Sequence, residues 1–439
     1  MPAGVCDCTE TQGFKESDRR LLQQPQHQDP RLPVRLLQMS IFLKVVSVSE
    51  AIATARRIAP RPLEETVPLE MAAGRVLAED VRSDTDIPGF DRSVVDGYAV
   101  RAADTTGASD PVPSMLRTRG RVEMGSGTVT PINPGECIYV PTGGVVPAGA
   151  DAMVMVENAG QAGDDVLIKK PLAHGENVLL HNEDFSKGEV VLEHGKRLFA
   201  QDAGVLAAAG CDTVPVYRQP VIGVISTGNE LVPVPATPAA GKVRDSNSFL
   251  VGAFVRENGC TPRYYGIIQD DRTALRTALL TAVAECDAVL VSGGSSKDDR
   301  DMAADIIAEL GEVLIHGIAI SPGKPTIIGS IRNKPVIGLP GHPASAFIVL
   351  VAIVRHLLAC MTGEAIPRQK TSQAKLGRNV PSPKGREDYV RVKVADGTAT
   401  PLFGKSGLLN TLVRSDGVIR IPAESEGLEA GEPVEVWLW

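Results

Sequence analysis

The sequence predicts a multidomain protein of the α/β plus β class, with a parallel α/β domain in its second half. Between about Pro220 and Cys360, strands that are apolar almost throughout alternate with helices. Such strands are typical of a parallel sheet that is covered on both faces. Elsewhere the chain has short strands broken by Gly and Pro, and its 439 residues suffice for about three or four domains.

Composition divides the chain into segments with different predicted structures. Residues 1–38 are polar and without a period, which predicts a disordered segment or an artefact of an upstream start codon. Ser47 and Glu50 form a capping-box pattern at a helix start. The further expected segments are a discontinuous linker domain of helices and strands (39–86 and 185–218), a β-rich module (87–184), the α/β domain (219–363) and a C-terminal β-barrel or sandwich (364–439).

Within the α/β domain, apolar strands and amphipathic or apolar helices follow each other in order. Strands are predicted to begin at Val221, Arg263, Ala288, Thr326 and Pro335. Helices are predicted over Ser248–Asn258, Thr273–Ala284, Met302–Leu310 and Ala344–Cys360.

Charge and cysteine content favour some classes of protein over others. The net charge of −8 disfavours a nucleic acid partner, since such proteins usually carry a basic surplus. The seven cysteines are scattered and odd in number, which fits reduced thiols in the cytoplasm better than a disulfide framework. No apolar run reaches the ~18 residues that a membrane-spanning helix needs, so no membrane association is expected.

Four polar loops follow the predicted strands of the α/β domain. They are Ser226–Glu230, Gln269–Asp271, Ser292–Ser296 and Leu339–Ser345. Three of them combine Gly with Ser or Thr, which allows close backbone approach and supplies hydroxyl donors for phosphate oxygens. One such loop would only indicate a tight turn, but ligands of parallel α/β sheets bind beyond the carboxyl ends of the strands. Three loops at one edge therefore predict a site for an anionic, phosphate-bearing small molecule.

Carboxylates and one lysine accompany these loops. Asp270, Asp271 and the Asp298–Asp301 cluster suit Mg²⁺, a hard cation that prefers oxygen ligands. The alternative is that they are solvated acids favoured by helix N-termini. Lys324 lies in a Pro-flanked loop and is a candidate oxyanion ligand. Neither a P-loop nor a G-x-G-x-x-G turn is present.

A colinear series of motifs resembles the MoeA family of molybdopterin molybdenumtransferases, to which the C-terminal domain of gephyrin belongs. The series covers about residues 45–439 and reads P-G-F-D-x-S-x-x-D-G-Y-A-V, P-T-G, G-x-x-x-x-x-x-x-E-D-x-x-x-G, S-T-G-x-E-L, D-S-N, S-G-G-x-S, P-G-K-P and L-P-G-x-P-x-S-A. The resemblance implies an L-shaped, four-part subunit that forms a homodimer, with a MogA-like α/β domain that binds molybdopterin and a C-terminal β-barrel.

The resemblance also implies an activity in molybdenum cofactor biosynthesis. Such an enzyme takes adenylylated molybdopterin and molybdate, cleaves the adenylyl phosphoanhydride with release of AMP and leaves molybdenum on the dithiolene sulfurs. Mg²⁺ is the implied metal, and a MogA-type adenylyltransferase is a candidate partner.

Family roles carry over to matching positions of this chain. The implied catalytic residues are Asp96, Asp184, Glu230 and Asp301. The implied metal ligands are Glu230, Asp270, Asp271 and Asp301. The implied substrate-binding residues are Thr142, Ser226, Thr227, Gly228, Asp245, Asn247, Ser292, Gly293, Gly294, Ser296, Lys324, Pro325, Pro340, Gly341, Ser345, Arg386 and Ser406. Of these, Asp96, Thr142 and Asp184 belong to the β-rich module and are expected to act across the dimer cleft.

This chain departs from the family pattern at the oxyanion and phosphate loops. Ser321 stands where the family usually has Lys, and His342 stands where it usually has Asn. Ser295 and Lys297 also differ, and Lys297 is a candidate source of the missing positive charge. Two alternatives to molybdate insertion therefore stay open, namely a tungstate-inserting paralogue and a non-catalytic molybdopterin-binding or scaffold paralogue.

Overall fold

The structure, a computed structural model, describes residues 45–127, 130–293, 297–364 and 369–439, and within 297–301 it describes the backbone alone. The expectation for residues 1–38 falls outside these ranges. The described helices are α1 (Val48–Arg57), α2 (Ala200–Ala208), α3 (Asn247–Glu257), α4 (Arg272–Glu285), α5 (Lys297–Leu310), α6 (Pro343–Val349), α7 (Arg355–Thr362) and α8 (Asn410–Arg414). A π-helical segment, Leu350–Val354, joins α6 to α7.

The described strands fall into three sequence blocks. Those before residue 220 are β1 (Glu64–Pro68), β2 (Val81–Arg82), β3 (Arg92–Ser93), β4 (Gly97–Val100), β5 (Ser114–Arg121), β6 (Glu136–Val140), β7 (Ala152–Met155), β8 (Ala159–Ala162), β9 (Asp165–Ile168), β10 (Val178–Leu179), β11 (Val190–Leu192) and β12 (Thr213–Tyr217). Those of the α/β region are β13 (Val221–Thr227), β14 (Leu231–Val232), β15 (Val243–Arg244), β16 (Thr261–Ile268), β17 (Ala288–Ser292), β18 (Glu312–His316), β19 (Ile320–Ser321), β20 (Ile327–Ile331) and β21 (Lys334–Leu339). Those of the C-terminal part are β22 (Lys370–Leu376), β23 (Val380–Pro381), β24 (Glu387–Ala395), β25 (Thr398–Pro401), β26 (Gly417–Ile421), β27 (Gly427–Leu428) and β28 (Pro433–Leu438).

Two distant stretches of the chain pair with each other around the β-rich module. β1 pairs antiparallel with β12, and β2 pairs antiparallel with β11. Leu77, Leu206 and Val214 are buried in the small core between these strands and α2. The module that is inserted between them carries a six-stranded sheet in the order β7-β4-β6-β5-β9-β8.

The α/β region is built on a six-stranded sheet in the order β16-β13-β17-β21-β20-β18. The four strands from β16 to β21 are parallel, as the apolar pattern predicted. β20 and β18 add an antiparallel edge, because β20 and β21 form a hairpin whose turn residues Arg332 and Asn333 both have positive φ. Apolar side chains cover both faces of the sheet in two separate cores.

The first helix packs on this α/β core, although its sequence lies within the range 39–86 that we expected to form a linker domain. Val48, Ala51 and Ala55 of α1 are buried with apolar residues of the helix that runs from Pro343 to Thr362. That helix is long and apolar enough to cross a membrane, but 78% of its most apolar window is buried inside the protein. Its composition is therefore accounted for by its place in the core.

The C-terminal part closes into a barrel, which decides between the two architectures that the sequence left open. The strands follow the order β24-β25-β22-β28-β26, and a further pairing of β24 with β26 closes the ring. β19 pairs parallel with the start of β24, with Ile320 opposite Glu387 and Ser321 opposite Asp388. The loop that carries Lys324 is thereby tied to the barrel.

Burial of His356 in α7 predicts a loss of stability in acid. Burial, together with the nearby charges of Arg56 and Arg355, lowers the pKa of the His356 imidazole. Because the folded state then binds fewer protons than the unfolded state, this contribution is present above the ordinary titration range of histidine and is lost as the pH falls through it. We expect the thermal unfolding midpoint to fall between about pH 7.5 and about pH 5.5 more steeply in the wild type than in His356→Gln. Equal slopes for the two proteins would contradict this assignment.

Candidate functional site

The polar loops predicted from the sequence meet at one edge of the α/β sheet. Ser226 of β13 is in register with Ser292 of β17, and Ser292 is in register with Leu339 of β21. Beyond these strand ends lies a cavity of about 800 Å³, the substrate cavity. The predicted residues in its wall are Thr227, Glu230, Asp245, Asn247, Ser292, Gly293 and Gly341. The edge therefore offers the space for a substantial ligand that the strand-end pattern predicted.

Asn247 joins the walls of the substrate cavity. Its Nδ2 donates to Ser292 Oγ and to the Gly341 carbonyl oxygen, each at 2.7 Å. Asn247 is only 8% exposed, and its Oδ1 has no partner among the described residues. An unpaired buried acceptor is costly, so a ligand N–H or O–H group is the natural partner for this oxygen. Asp245 supports the same region by accepting from Ser248 N at the start of α3.

Glu230 lies over Gly228 at the end of β13. Gly228 is buried with φ +153, and a Cβ there would lie 2.5 Å from Glu230 Oε2. Any side chain at residue 228 would therefore displace the carboxylate from its place in the cavity wall. Ser226, one residue before Thr227, is fully buried beneath the surface, and its Oγ has no partner among the described residues.

Two of the predicted metal ligands, Asp270 and Asp271, accept hydrogen bonds from other residues of the protein. Asp270 accepts from Thr227 Oγ1 at 3.0 Å and from Asn229 N at 2.8 Å, which uses both of its oxygens. Asp271 caps α4 by accepting from Ala274 N at 2.7 Å. Asp271 thus lies at a helix N-terminus, the alternative that the sequence left open, while Asp270 holds the loop after β13.

Of the predicted metal ligands whose side chains the structure describes, Glu230 is the one whose carboxylate makes no hydrogen bond to another described residue. Among the described side chains, no group of three potential ligands forms a metal centre. Mg²⁺ often takes only one or two protein carboxylates and completes its shell with water and substrate phosphates, so a site at Glu230 fits that chemistry. The side chain of Asp301, the fourth predicted ligand, lies outside the described residues, as do Gly294, Ser295, Ser296 and the side chain of Lys297.

A second cavity of about 290 Å³, the oxyanion cavity, adjoins the first. The two share Gly341 and His342 in their walls. The predicted residues in the wall of the oxyanion cavity are Lys324, Pro325, Pro340, Gly341, Ser345, Arg386 and Ser406. Two cations and three serine hydroxyl groups, that of Ser321 included, suit a tetrahedral oxyanion in this small space. The sequence-predicted oxyanion ligands are thus brought together beside the substrate cavity.

The loop that carries Lys324 depends on the close approach of Gly323 to α6. Gly323 has φ +130, and a Cβ there would lie 2.7 Å from Cγ2 of Val349. The Lys324 carbonyl oxygen accepts from Ile318 N and Thr326 N, both at 2.9 Å. These backbone contacts hold the loop while the Lys324 side chain stays exposed at the cavity wall.

Arg391 is a cation of this site that the sequence reasoning missed. It lies in a third cavity of about 330 Å³, the Arg391 cavity, which shares Ser321, Pro322 and Ser406 with the oxyanion cavity. Arg391 is 7% exposed, and its Nη2 donates to the Gly404 carbonyl oxygen at 3.0 Å. Its Nε and Nη1 have no partner among the described residues, and burial lowers the pKa of its guanidinium group.

Arg386, in the turn before β24, and Arg391, in β24, differ in whether an acid compensates their charge. The Arg386 Nε atom lies 3.0 Å from Asp388 Oδ1, so an acid already faces this cation. Arg391 has no such acid partner among the described residues. A buried charge without a partner is costly, which makes Arg391 the stronger candidate for an anion contact. The alternation of side chains along a strand could have indicated that Arg391 is buried, because it lies on the same face of β24 as the buried Tyr389.

The predicted residues of the β-rich module form a separate surface. Asp96 Oδ1 accepts from Thr142 N at 2.8 Å and from Thr142 Oγ1 at 3.1 Å. Asp184 lies in an exposed turn that is held by its backbone N–H, which donates to the Ile87 carbonyl oxygen at 3.0 Å. None of these three residues lines the substrate, oxyanion or Arg391 cavities of the same described subunit. The structure thus pairs Asp96 with Thr142 but does not bring them to the strand-end site within one subunit.

Three protein-family models match successive parts of the chain. "MoeA N-terminal region (domain I and II)" matches residues 46–210, "Probable molybdopterin binding domain" matches residues 223–359, and "MoeA C-terminal region (domain IV)" matches residues 373–439.

Curated relatives and solved structures match over most of the chain. The chain is 32% identical over 404 residues to the molybdopterin molybdenumtransferase of Bacillus subtilis, covering 90% of this chain and 94% of that protein. It is 34% identical over 305 residues to the molybdopterin molybdenumtransferase of Nostoc, covering 69% and 70%. The crystal structure of the molybdopterin biosynthesis MoeA protein from Pyrococcus horikoshii OT3 superposes with a TM-score of 0.79 at 34% identity, covering 90% of this chain and all of that chain (100%).

Proposed function

Because this chain belongs to the MoeA family of molybdopterin molybdenumtransferases, which act in molybdenum cofactor biosynthesis, we propose that it inserts molybdate into adenylylated molybdopterin and releases AMP. One observation carries the proposal. A large strand-end cavity and a small cationic cavity share Gly341 and His342, so an oxyanion in one is next to a ligand in the other.

The substrate cavity supplies donors and acceptors for the phosphate-bearing ligand. Thr227, Ser292 and the backbone of Gly293 line the strand ends, where phosphate oxygens find hydroxyl and N–H donors. Asn247 Oδ1 offers the buried acceptor for an N–H of the ligand. The walls of this cavity therefore orient the ligand so that its dithiolene end can face the oxyanion cavity.

The oxyanion cavity holds molybdate through charge. Lys324 and Arg386 in its wall, together with Arg391 in the adjoining cavity, offset the two negative charges of the oxyanion, while the Ser345 hydroxyl donates a hydrogen bond. Formation of the molybdenum–sulfur bonds releases oxide, which leaves as water after taking up protons. The cavity thus places the oxyanion beside the ligand of the substrate cavity.

Glu230 and Asp301 are the acids that we propose for the phosphoanhydride step. They would hold Mg²⁺, which when bound offsets charge on the departing phosphate. One of the two carboxylates orients the water that attacks phosphorus, and the bond to the AMP moiety breaks. Asp270 and Asp271 support the same loops as structural acids, through the contacts to Thr227, Asn229 and Ala274.

The β-rich module completes the site in a homodimer. Asp96, Thr142 and Asp184 are exposed and lie away from the cavities of their own subunit, which supports a role toward the cavity of a partner subunit. We further propose a cytoplasmic location, in keeping with the free thiols of the described cysteines, and a MogA-type adenylyltransferase as the source of the adenylylated substrate.

Ser321 favours one second candidate, insertion of tungstate. Ser321 lines both the oxyanion cavity and the Arg391 cavity at a position where the family usually has Lys. Replacing a lysine by a serine lowers the positive charge of the cavity and enlarges its free space. Both changes affect how well molybdate and tungstate bind. Parallel assays with molybdate and with tungstate separate the two functions.

Substitution of the two acids tests the proposed chemistry. Glu230→Gln and Asp301→Asn should each lower oxyanion-dependent AMP release by about 100-fold or more, since each removes a carboxylate that acts on the departing phosphate. Binding of molybdopterin, followed by fluorescence, should change little. Unchanged turnover of either variant would remove that acid from the mechanism, and tight pterin binding without turnover in the wild type would favour a scaffold protein.

A further inference from the structure

His342 is the one side chain that lines both the substrate cavity and the oxyanion cavity among the described residues of their walls. It precedes α6 as the residue that caps the helix, and its own side chain makes no capping hydrogen bond. The imidazole is therefore free of the helix and available to the cavities.

The Ser406 hydroxyl fixes the orientation of the His342 ring. Ser406 Oγ lies 3.0 Å from His342 Nδ1. The ring also packs beside the barrel loop, since a Cβ on Gly407 would lie 3.7 Å from His342 Cδ2. When Nδ1 accepts from the Ser406 hydroxyl, the ring hydrogen lies on Nε2, which has no hydrogen-bond partner among the described residues. One fixed and one free nitrogen is an arrangement in which imidazole serves as an oriented ligand.

One of the two cations in the wall of the oxyanion cavity already faces an acid. The described cations are Lys324 and Arg386, and Asp388 faces the guanidinium group of Arg386. Ser321 supplies only a short hydroxyl to the wall of this cavity. A further nitrogen donor at the border of the two cavities would therefore add directly to the binding of a tetrahedral dianion.

We propose that His342 is a specificity-determining residue of the oxyanion site, whose Nε2 binds the tetrahedral dianion at the border with the substrate cavity. The inference deepens the proposed function and depends on it. Asparagine at residue 342 has no atom that reaches the position of Nε2, so the contribution is particular to a histidine. The same placement keeps the bound oxyanion next to the cavity in which the dithiolene is expected.

Oxyanion binding without turnover tests this inference. The dissociation constants of molybdate, tungstate and sulfate are measured by calorimetry for the wild type, His342→Asn and His342→Leu at one fixed pH. Asn is a favourable N-cap residue, so His342→Asn should keep the start of α6. We expect both variants to bind the preferred oxyanion about 10-fold more weakly, the equivalent of one charge-assisted hydrogen bond. His194→Asn, on the linker surface beside Asp80, is the matched control and should bind like the wild type.

A compensating substitution and a kinetic measurement complete the test. Ser321→Lys should restore binding in the His342→Asn background by adding a cation to the same cavity. In turnover, His342→Asn should raise the half-saturating concentration of the oxyanion and leave that of adenylylated molybdopterin unchanged. Wild-type oxyanion affinity in both folded variants, or an effect confined to the pterin substrate, would overturn the inference. Since binding is measured without pterin, the result is independent of whether AMP release is observed.

Discussion

Replacement of Arg391 by Met should nearly abolish oxyanion binding and turnover without weakening the fold. The variant loses a buried cation that has two N–H groups without described partners. Loss of two charge-assisted hydrogen bonds at about 1.5 kcal/mol each would weaken binding roughly 100-fold. Met fills much of the same space, and removing an uncompensated buried charge should leave the free energy of unfolding equal or higher.

Calorimetric titration with molybdate measures the expected loss of oxyanion binding. Unfolding in urea measures the expected unchanged or higher free energy of unfolding. Arg420→Met is the control, since Arg420 lies on the same barrel, is half-exposed and faces Glu387 at 3.7 Å. It should bind molybdate like the wild type. A stable Arg391→Met protein that keeps wild-type affinity would remove Arg391 from the site, and an unfolded variant would show that the arginine holds the barrel through Gly404.

Co-expression of two inactive variants should restore activity if the site is shared between subunits. Asp96→Asn alters the β-rich module, and Arg391→Met alters the oxyanion site. In a mixed dimer one of the two sites combines an intact module with an intact oxyanion cavity. Random pairing makes half of the dimers mixed, so about a quarter of the wild-type activity should return.

Separately purified variants that are mixed without subunit exchange provide the control, and they should stay inactive. The co-expressed pair should run as a dimer in size-exclusion chromatography. A dimeric, co-expressed pair that stays as inactive as its parents would place Asp96 and Arg391 in the same subunit's site and contradict the shared arrangement.

Short sequence patterns predicted several helices and strands and much of the candidate site. The N-cap half of the capping-box pattern is present in α1, where Ser47 Oγ accepts from Glu50 N at 3.1 Å. The apolar strands predicted from Val221 and Ala288 form neighbouring parallel strands, so the loops after them necessarily meet at one edge. The pairing of Asp96 with Thr142 also follows from adjacent strands, since Gly97 on β4 lies opposite Val140 on β6.

The rest depends on contacts between distant parts of the chain. The choice between barrel and sandwich rested on the pairing of β24 with β26, which no local pattern encodes. The packing of α1 on the α/β core is likewise set by partners nearly 300 residues away in sequence. The hairpin of β20 and β21 was within reach of the sequence, because only Arg332 and Asn333 separate the two strands.

Asp270 and Asp271 show that acids near a phosphate loop can also have structural partners. Asp270 and Asp271 were attractive as ligands because acids cluster near a phosphate loop. In the fold, one fixes Asn229 and Thr227, and the other caps α4. Acids at strand–helix junctions often serve the backbone N–H groups there, and only the hydrogen bonds reveal which acid stays free.

Release of AMP that depends on oxyanion is the most direct test of the proposed function. The purified protein is incubated with adenylylated molybdopterin, Mg²⁺ and either molybdate, tungstate or no oxyanion, and both AMP and protein-bound metal are quantified. We predict AMP release only with an oxyanion, with about one metal inserted per AMP, and loss of both signals in Arg391→Met. AMP release at the same rate without oxyanion, or no release with either oxyanion, would contradict the proposed function.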